Sequence, residues 1–106
     1  MIKICLVGAS GKMGRAVIEE AKNHDDIEIT NFIVHKNSEA LSLDVGEFHF
    51  RKASNQTFEA SINYNFDCII DFATREKVQE RIRLYAQLKK PVLFCTTGLE
   101  LSLIHI

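Results

Sequence analysis

One stretch near the start of the chain, Gly8-Ala9-Ser10-Gly11-Lys12-Met13-Gly14, restricts what it can fold into more than any other. It follows Ile2 to Val7, a nearly continuous apolar run of the kind seen in strands buried on both faces. It leads into Lys12 to Asn23, where Met13, Val17 and Ala21 recur at i, i+4 and i+8, with Ala16 and Ile18 widening the stripe. Lys12, Arg15, Glu19, Glu20 and Lys22 supply a wet face, so this segment is predicted to be an amphipathic helix. In such a strand–turn–helix Gly8 lets the strand turn sharply, and Gly11 lets backbone approach a pyrophosphate with no Cβ in the way. Gly14 lets the helix lie close to the sheet. Amides freed at the helix start then point at phosphate oxygens, and the helix dipole adds to the attraction. The spacing is G-x-x-G-x-x-G, not the commoner G-x-G-x-x-G. Its place between a strand and a helix favours dinucleotide binding over a purely structural turn.

The rest of the chain repeats this alternation. Asn23-His24-Asp25-Asp26 ends the helix, and Ile27 to Val34 is predicted to be a second strand rich in β-branched residues. Phe48 and Phe50 alternate with His49 and Arg51, which suggests a short strand, and Gln56 to Ile62 suggests a turn or two of helix. Phe66 to Phe72 predicts a strand, and Thr74 can cap a helix with Val78, Ile82, Tyr85 and Ala86 on its apolar side. Pro91 stops that helix, and Pro91 to Cys95 predicts another buried strand. Apolar strands alternating with helices imply an α/β fold, a doubly wound parallel sheet of Rossmann type. Its ligands bind beyond the carboxyl ends of the strands. Those ends are Gly8, Val34 to Lys36, Phe72 to Thr74 and Thr96 to Gly98.

Composition narrows the function. With 106 residues one incomplete domain is expected. Thirteen basic against 14 acidic side chains give a net charge of −1, without the basic footprint of a non-specific nucleic-acid binder. No apolar run approaches the roughly 20 residues of a membrane span, and the start is too short for a signal peptide. No membrane partner and a cytoplasmic location are therefore expected. Cys5, Cys68 and Cys95 are an odd count without C-x-x-C spacing, which favours buried thiols over disulfides or zinc. Arg75 to Arg83 reads as a mixed-charge wet helix face, and Phe66, Phe72 and Phe94 as core. Asp71, at a strand end, is assigned to helix capping ahead of cofactor orientation.

Cofactor choice is written at the end of the second strand, where a carboxylate would bind the ribose 2′-hydroxyl and favour NAD. Here the sequence reads Val34-His35-Lys36, and the nearest acids are Glu28, at the strand's far end, and Glu39 in the following loop. With Lys12 on the turn the pocket is cationic, so NADPH is expected over NADH.

Three segments in order, Gly8-Ala9-Ser10-Gly11-Lys12-Met13-Gly14-Arg15, Ile70-Asp71-Phe72-Ala73-Thr74 and Cys95-Thr96-Thr97-Gly98-Leu99, resemble the N-terminal domain of dihydrodipicolinate reductase, an NAD(P)H-dependent family of lysine (diaminopimelate) biosynthesis. The resemblance covers residues 1 to about 100. It implies that Gly8, Ala9, Ser10, Gly11, Lys12 and Met13 contact the pyrophosphate. It places His35, with Lys36 beside it, where family members put a cation for the 2′-phosphate, and Val34 where many carry an acid. Cys95, Thr96 and Thr97 match a G-T-T segment near the nicotinamide, with Cys95 replacing glycine. Ala73 stands between Phe72 and Thr74 where the family has Phe followed directly by Thr or Ser. By the same resemblance, a small-molecule substrate and the catalytic groups belong to a C-terminal domain whose His- and Lys-bearing segment is not found here. The full-length form is expected to be a homo-oligomer, and the segment alone to bind cofactor without turning over substrate.

Leu101-Ser102-Leu103-Ile104-His105-Ile106 departs from the family pattern and matches one reading frame of a sequencing-library transposon end. Residues 101–106 are therefore expected to be foreign to the domain. A nucleotide- or CoA-binding module without chemistry is the alternative, because glycine turns at helix N-termini also hold CoA phosphates.

Overall fold

The computed structural model describes residues 1–62, 65–72, 78–94 and 102–104. In chain order these form β1 (Ile2–Val7), α1 (Lys12–Ala21), β2 (Ile27–Ile33), α2 (Val45–Phe50), β3 (Cys68–Asp71), α3 (Val78–Leu88), β4 (Val92–Phe94) and β5 (Ser102–Ile104). They build one sheet in the order β2-β1-β3-β4-β5. The β1–β2, β1–β3 and β3–β4 pairs are parallel, and β5 joins antiparallel with Ser102 opposite Phe94. The chain leaves β1 toward β2 and then returns to β1's other side as β3. The carboxyl ends of β1 and β3 therefore flank a topological switch point, where sheets of this kind bind ligands.

Side-chain alternation along β1 explains the two layers of helices. Ile4 and Leu6 face one way and pack with Ile18 of α1, Ile29 and Phe32 of β2, and Phe58. Cys5 and Val7 face the other way, with Ile69 of β3, Tyr85 of α3, and Val92 and Phe94 of β4. One helix on each face makes the sheet doubly wound, as the alternation of strands and helices predicted. At Ile4/Cys5 the β1–β2 register slips so that Ile29 and Asn31 are consecutive partners and Thr30 is skipped. The hydroxyl of Thr30 donates instead to the Asn65 carbonyl at 3.2 Å. The bulge restores the alternation, so that Phe32 and Ile33 again reach opposite cores.

Residues 35–62 correct two expectations. Phe48 and Phe50 lie in the helix α2, not in a strand. Asp44 caps it by accepting from the Glu47 amide at 2.9 Å, and Arg51 closes it in the left-handed conformation with φ 58°. Four alternating residues are too few to distinguish a strand, and Asp44 three places before Glu47 is a helix-start signal. Gln56 to Ile62 is not a helix. Glu59 bridges Ile33, giving the outer edge of β2 a partner, and Thr57 bridges Asp44 at the start of α2. The Glu59 amide donates to the Phe32 carbonyl at 2.9 Å and the Val34 amide to the Glu59 carbonyl at 2.8 Å, which seats Phe58 in the core.

The buried faces of the helices also differ from the expected stripes. On α1 they are Gly14 and Ile18, flanked by Val17 and Ala21, while Met13 and Ala16 are exposed. On α3 Tyr85 is buried and Leu88 packs beside it, whereas Ile82 and Ala86 face outward. The rotation of α3 follows Arg81, which turns inward to the buried carboxylate of Asp71. Phe66 and Phe94 are buried, and Phe72 is half-buried against the α1-side core. Thr74 as a helix cap lies outside the described residues. No helix among the described residues is long and apolar enough to cross a membrane.

Candidate functional site

The glycine turn stands where β1 ends at the crest of the sheet. Gly8 has φ 81°, a conformation that only glycine adopts without strain, and this turns the chain off the strand. The amides of Gly8 and Ala9 both donate to the Ile33 carbonyl, at 2.9 and 3.1 Å, so the turn is fastened to the end of β2. Ala9 is fully buried. A Cβ on Gly14 would lie 2.7 Å from the carbonyl oxygens of both Gly8 and Ala9, so the first turn of α1 rests directly on the backbone of the loop.

Gly11 is the N-cap of α1, in extended conformation, and no side chain caps the helix. The first helical bond runs from the Arg15 amide to the Gly11 carbonyl at 2.9 Å. The amides of Ser10, Lys12 and Met13 have no hydrogen-bond partner among the described residues. The first turn of α1 carries no acidic residue, and Lys12 is exposed there. A Cβ on Gly11 would meet nothing closer than the Gly8 carbonyl at 3.7 Å. The corner is thus open, rich in unpaired donors and positively polarised, a combination suited to an anion.

His35 and Lys36 follow β2 and are exposed. The Nδ1 atom of His35 accepts from the Asn37 amide at 3.0 Å, which leaves Nε2 carrying the ring proton. Because Ile33 holds Gly8 and Ala9, the His35-Lys36 turn and the glycine turn rise from neighbouring strand ends. Glu28 lies near the opposite end of β2 and Glu39 in the loop beyond. Of the residues expected at the site, Gly8 to Met13, His35 and Lys36 gather on this crest. Cys95, Thr96 and Thr97 lie outside the described residues.

Two side-chain pairings near the crest were not foreseen from the sequence. Asp71, fully buried at the end of β3, accepts from Arg81 Nε at 2.8 Å and from the Tyr85 hydroxyl at 2.6 Å. It ties β3 to α3, a role that neither capping nor cofactor orientation anticipated. Burial, reinforced by the Asp71 charge, pushes the Tyr85 hydroxyl up, so it stays protonated and donating. Burial likewise pushes the Cys5 thiol up to about 12, while Cys68 is half-buried and raised more modestly. The second pairing is that of His49 of α2, whose Nε2 donates to the Ala9 carbonyl at 2.7 Å across 40 residues of sequence. Among the described residues no cluster of three or more His, Cys, Asp or Glu side chains could hold a metal.

Comparisons with known proteins agree with this fold. A 4-hydroxy-tetrahydrodipicolinate reductase from Pseudoalteromonas atlantica is 33% identical over 102 residues, and one from Wolbachia pipientis 28% over 108, each covering 93% of this chain. The chain spans 38% and 39% of the length of these two relatives. Among solved structures, the aspartate semialdehyde dehydrogenase of Candida albicans with NADP superposes with a TM-score of 0.71 at 13% identity, over 92% of this chain and 30% of that one. A dipicolinate-bound dihydrodipicolinate reductase from Paenisporosarcina sp. TG-14 gives 0.62 at 20% identity, over 94% of this chain and 39% of that one. These two establish the fold. The model of the family described as the N-terminus of dihydrodipicolinate reductase matches residues 2–105, so the chain belongs to the dihydrodipicolinate reductase family, as its N-terminal part.

Proposed function

We propose that this chain is the cofactor-binding portion of an NAD(P)H-dependent reductase that delivers hydride to the cyclic imine of dihydrodipicolinate, and that it prefers NADPH. The observation that carries this reading is the open corner at Gly11, where the amides of Ser10, Lys12 and Met13 have no partner within the described chain. The fit to a dinucleotide is physical. The space a Gly11 Cβ would take is free, and the helix has no acidic residue or side-chain cap to compete for the anion. Gly8 to Met13 would hold the diphosphate, with Lys12 adding a charge-assisted contact. When bound, the reduced nicotinamide supplies the hydride. The chain's own part is to bind, to orient the diphosphate and, through the buried Ala9, to keep water from beneath the turn.

The NADPH preference rests on the β2 end. His35 and Lys36 are there and no carboxylate is, so a 2′-phosphate gains partners, each contact being worth about 1.5–3 kcal/mol at best. Residues 1–100 act in this reading as the dinucleotide-binding unit, within a homo-oligomeric longer protein whose other part binds the substrate. Calorimetric titration with NADPH, NADH and CoA tests it. NADPH should bind tightest, and Lys36→Ala and His35→Ala should narrow the gap to NADH. Tighter NADH binding refutes the preference, and binding of CoA alone refutes the reductase reading.

A further inference from the structure

We infer that His49 is a positioning residue of the dinucleotide turn, setting the direction of the Ser10 amide through the Ala9 carbonyl; this rests on the dinucleotide-binding reading above. A carbonyl oxygen can only accept, so the 2.7 Å contact has His49 Nε2 as donor. Every described peptide is trans, so the Ser10 N–H points opposite to the Ala9 C=O, away from α2. That amide has no partner among the described residues. The same carbonyl is confined on a second side by Gly14. Whatever fixes the Ala9 oxygen therefore fixes one of the donors offered to the diphosphate.

The ring is itself held in place. Phe48 and Phe58 meet it edge-on, with centroids 5.0 and 5.7 Å away, and Phe50 lies at 5.7 Å. A helix as short as α2 is not stable alone, and two anchors secure it. Asp44 accepts from the amides of Glu47, Ser54 and Asn55 and from the Ser54 hydroxyl. At the other end the Arg15 guanidinium and the Lys22 ammonium of α1 lie over the Phe50 ring, 5.2 and 4.0 Å from its centre. The segment between β2 and β3 thus braces a donor against the turn. Ala9 is fully buried, so no water can replace that donor without opening the loop.

The test compares the chain with His49→Phe, which keeps the bulk and removes the donor, and His49→Gln, which keeps an N–H near the Nε2 position. The ligands are NADPH and adenosine 2′-monophosphate, which lacks the diphosphate. His49→Phe should bind NADPH about tenfold more weakly, His49→Gln should recover most of that loss, and adenosine 2′-monophosphate should bind all three alike. A purely structural His49 would weaken both ligands together with no rescue by Gln, and that result overturns the inference. So does unchanged NADPH binding in His49→Phe, which leaves the dinucleotide reading standing. Failure of the unaltered chain to bind NADPH or NADH removes that reading and this inference with it. If His49→Phe does not fold, ring nitrogen spectra of the unaltered chain decide: protonated Nε2 supports the assignment, and protonated Nδ1 with bare Nε2 overturns it.

Discussion

Gly14→Ala tests how closely helix and turn are coupled. The added Cβ would stand 2.7 Å from the Gly8 and Ala9 oxygens and 2.8 Å from the Ala9 carbonyl carbon. Ordinary contact begins at 3.4 Å, so α1 and the turn must part by the difference, about 0.7 Å. Every atom met is backbone, so no side chain can swing aside. Overpacking of this kind costs about 1–3 kcal/mol. Against it stands the better helix propensity of alanine, worth about 1 kcal/mol. Ala16, exposed on the same helix, calibrates that second effect, because Ala16→Gly loses the propensity without relieving any contact. Adding the destabilisations of Gly14→Ala and Ala16→Gly, read from urea unfolding, cancels propensity and leaves about 1–3 kcal/mol of strain. A sum near zero would refute the close approach. Gly14→Ala should also weaken NADPH binding, since the displaced atoms belong to the proposed phosphate turn.

Other consequences follow from buried and capping groups. Asp71→Asn leaves Arg81 without its buried carboxylate and should cost about 3–5 kcal/mol, more than Tyr85→Phe at about 1.5–3 kcal/mol; equal small losses in urea unfolding would contradict the pairing. The Cys5 thiol, pushed up to about 12 by burial, should resist iodoacetamide at pH 8 in the folded chain and react once urea opens it; equal rates in both states would contradict its burial. The Glu47 amide, with those of Ser54 and Asn55, holds the Asp44 carboxyl below its ordinary value of 3.8. Its contribution is then complete above that value and is lost as pH falls through the lower folded one. The stability gap between the chain and Asp44→Asn should therefore close in acid, and a gap independent of pH would contradict the cap.

What could be read from the sequence was local. The β1–turn–α1 unit was legible because a strand's apolar run, three glycines and a helical stripe are adjacent, and the same holds for β2 and for the β3–α3–β4 alternation. The region from 35 to 62 was not, because its structure answers to distant partners. Phe58 is buried against β1, and Glu59 pairs with the edge of β2. The inward turn of Arg81 depends on Asp71, ten residues back, and no periodicity of apolar residues reports a buried ion pair. His49 lies 40 residues from the carbonyl it meets and had no signal of its own. At the site, the glycine turn and the cationic β2 end were visible as motifs. The brace beneath the turn became visible only in three dimensions.

The most direct measurement follows the backbone amides of a 15N-labelled chain while NADPH is added. Ser10, Lys12 and Met13 should show the largest downfield proton shifts, saturating together with one dissociation constant, as free amides do on gaining a phosphate acceptor. Saturable shifts confined to another surface, such as the open cavity of about 330 Å³ beside Leu41, Thr57 and Glu59, would contradict it. So would unmoved amides at millimolar NADPH.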